Sequence, residues 1–141
     1  MATKADFTEP EWKTLEKGLT GAGMLVSMSD PGFTDSFGES SALAKYLASQ
    51  RAAGSTELIR ELGATRGTGF GLTAKPEEVR SGSIAALRSA IETLSAKAPE
   101  EVEPYRQMVL GAASAVAQAK SGVKPAEVAA IDAVMQALDV A

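Results

Sequence analysis

Three carboxylates and a run of hydroxyls crowd one short stretch, SDPGFTDSFGES from Ser29 to Ser40, in which Asp30, Asp35 and Glu39 are the acids. Oxygen ligands at this density suit a hard divalent cation such as calcium or magnesium. The chain has neither cysteine nor histidine. That double absence argues against zinc, copper and haem centres, and it removes the thiolate nucleophile and the commonest general base. The stretch is not an EF-hand, because Gly32, Thr34, Ser36 and Gly38 hold the alternate positions after Asp30 where carboxylates are needed. The same residue types also build local structure. Asp30, Pro31 and Gly32 make a turn, Phe33 plugs the core, and Asp35 or Ser36 with Glu39 caps the following helix. For catalysis the nearest sets are the Asp30 and Asp35 pair, or one of the neighbouring serines with Lys45. No motif frames either set, and the expectation is a protein that is not an enzyme.

A second stretch, RGTGFGLTAK from Arg66 to Lys75, offers the backbone amides of Gly67, Gly69 and Gly71 as a phosphate cradle. Its details depart from the known phosphate loops. A dinucleotide fingerprint needs glycine where Leu72 stands, and a Walker loop needs lysine directly after its last glycine. The stretch therefore reads as a helix connector with Phe70 as a core anchor. A partner-binding or anion-binding role remains open for Arg60, Arg66, Gly67 and Gly69, because Arg51, Arg60, Arg66, Arg80 and Arg88 all fall in this third of the chain.

The elements that would position these residues are helices. Apolar residues recur every three or four positions and nowhere alternate as a strand requires, which predicts an all-α bundle of about six helices in one domain spanning residues 1–141. The first starts at Thr8, in capping-box spacing with Glu11, and carries the stripe Trp12, Leu15, Leu19, Ala22 and Val26. Gly18, Gly21 and Gly23 lie inside it. Each disfavours helix by about 1 kcal/mol relative to alanine, so a close helix neighbour must compensate, and this helix should be central.

The second helix runs from Ser36 to Gly54 on Leu43, Tyr46 and Leu47, and a short third carries Leu58, Ile59 and Leu62 to Gly63. The fourth opens at Pro76, buries Val79, Ser83, Leu87, Ala90, Ile91 and Leu94, and stops before Pro99. The fifth is expected from about Pro104 to Lys120 on Tyr105, Met108, Ala112, Val116 and Ala119. The last starts at Pro125 with Val128, Ile131, Val134, Met135 and Leu138 on one face. Connections are short except for 63–75.

Two stretches repeat a plan: MLVSMSDPGFTDSFGESSALAKYL from Met24 and SAVAQAKSGVKPAEVAAIDAVMQAL from Ser114. Each ends an apolar helix, turns through glycine, places one apolar residue, and begins a new helix with glutamate. Phe33 then corresponds to Val123, Glu39 to Glu127 and Leu43 to Ile131. On Asp30, Phe33 and Glu39 in the first turn, and Val123, Pro125 and Glu127 in the second, the chain resembles the TerB family of tellurite-resistance proteins. The resemblance spans roughly Trp12 to Leu138. It implies an all-helical fold with an internal quasi-repeat whose two turns meet, acidic residues that bind a divalent cation, and a non-catalytic binding or scaffolding role in a bacterial stress or envelope response.

On this basis Asp30, Asp35 and Glu39 would ligate, with Glu127 contributing from the other turn. Where the family's second turn has aspartate and glycine, this chain has Lys120 and Ser121, and its first turn has Pro31 with Gly32 one place later. A lysine donates and cannot ligate a hard cation. If the turns meet, the Lys120 ammonium takes the place of the metal and pairs with Asp30. No cofactor is required on this reading, and calcium or magnesium is the candidate.

Bulk composition narrows the partners. A formal charge of −4 and 5% aromatic residues argue against nucleic acid. Every apolar run is shorter than the roughly 20 residues of a membrane helix, and the opening residues MATKADFTEPEW carry no apolar signal core. A cytoplasmic protein with a protein partner is the expectation, and the alternative is a purely structural helical homo-oligomer such as a homodimer.

Overall fold

In a computed structural model of the chain, six α-helices form an all-α bundle, with no strand among the described residues. The structure describes residues 2–28, 36–65, 75–118 and 125–138; for 27, 28, 36–41, 76 and 125–128 it describes the backbone alone. The helices are α1 (Glu9–Met28), α2 (Ser36–Ala53), α3 (Glu57–Leu62), α4 (Pro76–Lys97), α5 (Val102–Ala117) and α6 (Pro125–Leu138). Short 3₁₀ turns at Lys4–Asp6 and Pro99–Glu101 precede α1 and α5.

α1 forms where its spacing predicts. The Thr8 amide donates to Glu11 Oε1 at 2.8 Å and the Glu11 amide donates to Thr8 Oγ1 at 3.3 Å, which closes the capping box. Trp12, Leu15, Leu19, Ala22 and Val26 are all buried. The helix is central, packing against α4 and α5 most extensively and also against α6 and α2. Its glycines explain how so many neighbours fit. A methyl group on Gly18 would lie 2.6 Å from Tyr105 Oη and 3.2 Å from Leu87 Cδ2, one on Gly21 would run into Ser83, and one on Gly23 would meet Leu43 at 3.1 Å and Val116 at 3.5 Å. Each glycine thus admits a different neighbour: α4 and α5 together, α4 alone, then α2 with α5.

These contacts also set directions. Leu15 accepts a 2.8 Å hydrogen bond from Tyr105 Oη near the starts of α1 and α5, and Gly23 meets Val116 near their ends, so the two helices run parallel. α4 is antiparallel to α1, since Gly18 faces Leu87, Gly21 faces Ser83, and Lys97 reaches Glu11. α2 runs back along α5, with Leu43 near Val116 through Gly23 and Tyr46 over Gly111. α6 returns along α5 too, its last carbonyl at Leu138 accepting from Arg106 Nε at 3.1 Å. One buried cluster draws side chains from all six helices.

Two expectations need correction. The fifth helix begins at Val102 rather than near Pro104, because a proline in the first turn lacks only an N–H that has no intrahelical acceptor. It ends at Ala117, where the Gln118 amide closes on Ser114; Ala119 lies outside the described residues. Met135 is not on the inner face of α6: it is 44% exposed, while Ala130, Val134, Ala137 and Leu138 are buried. At about 100° per residue the buried stripe centres on Val134, and Met135 falls one step off it. Alanines, which a reading by large apolar residues passes over, complete the stripe.

Candidate functional site

The directions of the helices give the bundle two ends. At one, α1 and α5 finish while α2, α4 and α6 begin. The three stretches singled out in the sequence, 29–35, 66–74 and 119–124, each adjoin a helix terminus at that end. Asp30, Asp35, Arg66, Gly67, Gly69, Phe70 and Lys120 lie outside the described residues, as do the side chains of Glu39 and Glu127. Glu39 stands in the first turn of α2 and Glu127 in the first turn of α6, the two helices that start there. Among the described residues, no group of three or more acidic side chains is arranged to hold a metal.

Of the proposed site residues, Arg60 is described in full. It is exposed on α3, and its Nη1 donates to the Gly54 carbonyl at 2.9 Å. That bond ties α3 to the end of α2, a structural duty that spacing alone did not suggest. Beside it, Thr56 caps α3: its Oγ1 accepts from the Ile59 amide at 3.2 Å and donates to Glu101 Oε2 at 2.8 Å. Glu101 is 1% exposed, so this one carboxylate holds the start of α5 against the start of α3.

The opposite end carries a cleft of about 610 Å³, lined by Lys4, Phe7, Trp12, Glu16, Glu61 and their neighbours. Trp12, 4% exposed, and Phe7 form its aromatic part, with centroids 6.2 Å apart and planes tilted by 48°. Lys4 Nζ sits 5.6 Å from the Trp12 ring centroid and Lys97 Nζ sits 5.8 Å from that of Phe7, both within cation–π range. The Lys4 amide donates to Glu61 Oε1 at 3.2 Å, and Thr65 Oγ1 donates to Glu16 Oε2 at 3.2 Å, which ties Glu61 to the turn before α1 and the residues after α3 to α1 itself. Lys97 pairs with Glu11 at 2.5 Å, and this bond holds the Glu11 carboxyl below the ordinary range, helped by hydrogen bonds from Thr8.

The sequence reading placed Trp12 in the core and assigned Lys4, Glu16 and Glu61 nothing. Their assembly depends on α3, packed on α2 and α5, bringing Glu61 to Lys4 and Thr65 to Glu16, and no local spacing encodes that. Tyr105 is strongly perturbed: burial pushes its phenol far above the ordinary value, and it acts as a fixed donor to Leu15. No protein-family model, curated protein or solved structure matches the chain. Among the described residues, no helix is long and apolar enough to cross a membrane.

Proposed function

We propose that the protein is a TerB-like, non-enzymatic helical module that binds or scaffolds a protein partner in a bacterial stress or envelope response, with a divalent cation held between its two turns. The observation that supports this reading is the parallel pairing of α1 with α5, tied together through Leu15 and Tyr105 at one level and Gly23 and Val116 at another. Parallel helices end on the same side. The acidic turn after α1 and the Lys120 turn after α5 are therefore attached to neighbouring helix ends, and α2 and α6 both run back antiparallel, as a duplicated helix, turn, helix unit requires.

On this reading Asp30, Asp35 and Glu39 ligate calcium or magnesium, and Glu127 adds an oxygen from the second unit. Lys120 sets how much negative charge the cation must balance. Thermal unfolding of chelator-treated protein, with and without calcium, magnesium or manganese, tests it. A ligand of the native state at a hundredfold excess over Kd adds about 2.7 kcal/mol, a clear rise in Tm. The rise should vanish in the Asp30→Asn, Asp35→Asn double variant. Identical curves with and without metal would sink the cation and leave the Lys120 to Asp30 pair as the link between the turns.

A further inference from the structure

At the other end of the bundle, we propose that the cleft at the amino end of α1 is a docking seat for a lysine- or arginine-bearing segment of a partner protein, and that Lys4 is an internal occupant the partner displaces. The seat already holds an ammonium: Lys4 Nζ lies 5.6 Å from the centroid of the Trp12 ring. Its hold is weak. Among the described residues Lys4 makes no ion pair, and an exposed cation–π contact contributes about 0.5–1 kcal/mol.

The surroundings favour a cation from outside. Lys13 on the rim is paired with Glu9 at 3.4 Å, which leaves Glu16 and Glu61, among the described residues, as the cleft's uncompensated charges once Lys4 swings away. Each carboxylate accepts one hydrogen bond from a neutral donor, at 3.2 Å in both cases. A carboxylate has room for about four, so both retain acceptor capacity for an incoming ammonium or guanidinium. A space of about 610 Å³ exceeds what one amine fills, so residues flanking the charged one can enter with it. The chain's net charge of −4 favours the approach of such a segment.

Trp12 is the only tryptophan, so its fluorescence reports on this cleft alone. The full chain is titrated into the millimolar range with acetyl-Gly-Lys-Gly-Lys-Gly amide, followed by fluorescence and by calorimetry. The expected result is saturable binding that tightens about two- to fivefold in Lys4→Ala, the equivalent of the lost internal contact. Binding should weaken by a similar factor or more in the Glu16→Gln, Glu61→Gln double variant, whose amide oxygens still accept the Thr65 and Lys4 donors. Asp30→Asn with Asp35→Asn should leave the titration unchanged, so failure here and failure of the cation reading are separable.

No heat and no fluorescence change in either wild type or Lys4→Ala overturns the proposal. So does equal binding of the same peptide with both lysines acetylated. Equal binding of spermidine, compared per ammonium, overturns the assignment to a peptide segment.

Discussion

Ser83 shows most sharply what single atoms do in this core. It is wholly buried on α4 against Gly21, and its Oγ has no hydrogen-bond partner among the described residues. A buried hydroxyl left unpaired costs about 1–3 kcal/mol, and serine also favours helix less than alanine does. Ser83→Ala should therefore raise stability by about 1 kcal/mol in urea unfolding; a loss of stability would mean that the hydroxyl has a partner after all. Gly21→Ala is the opposite case. Its helix-propensity gain of about 1 kcal/mol is outweighed by the overlap with Ser83, whose Cβ would lie 2.9 Å away, and a net loss of about 1–3 kcal/mol is expected in the same assay.

At the scale of elements, the starts and ends of helices are held by specific polar contacts. Lys97, the last residue of α4, reaches Glu11 in the first turn of α1 and also lies over Phe7. Because the Glu11 carboxyl titrates lower in the folded chain than in the unfolded one, the unfolded chain binds more protons as the pH falls. The stability contributed by the pair is thus complete above the ordinary glutamate value of 4.5 and is lost as pH drops through the lower folded value. Wild type should melt above Lys97→Met at neutral pH, with the difference in Tm shrinking below about pH 4.5. A difference that stays constant across that range would assign the effect of Lys97 to its contact with Phe7 instead.

Across the whole molecule, α1 is the axis on which α2, α4, α5 and α6 pack, and the two functional proposals fall at opposite ends of the bundle. Hydrogen exchange should reflect the first point. Amides from Leu15 to Val26, in the stretch of α1 that carries the buried Leu15, Leu19, Ala22, Leu25 and Val26, should exchange only through global unfolding. Those of α3, a helix of six residues tied down by Thr56, Glu101 and Arg60, should open earlier. Protection in α3 equal to that in α1 would show one cooperative unit instead. The second point separates the functional proposals. The stretches 29–35 and 119–124 adjoin the ends of α1 and α5, and the tryptophan cleft lies at the end where α1 begins.

By itself, the sequence determined which segments are helical and which faces are buried. Capping at Thr8, proline at Pro76 and Pro125, and apolar residues every three or four positions are local signals that act within one helix. It also implied that α1 must be central, since three interior glycines need close neighbours to offset their cost. Only the tertiary structure decided which neighbour each glycine admits, that α1 and α5 run parallel, and that Arg60 closes the end of α2. The cleft at Trp12 was invisible for the same reason. It joins Lys4, Trp12 and Glu61 across more than fifty residues of chain, and residues so far apart meet only where the hydrogen bonds from Lys4 to Glu61 and from Thr65 to Glu16 bring α3 and the residues after it to the start of the chain.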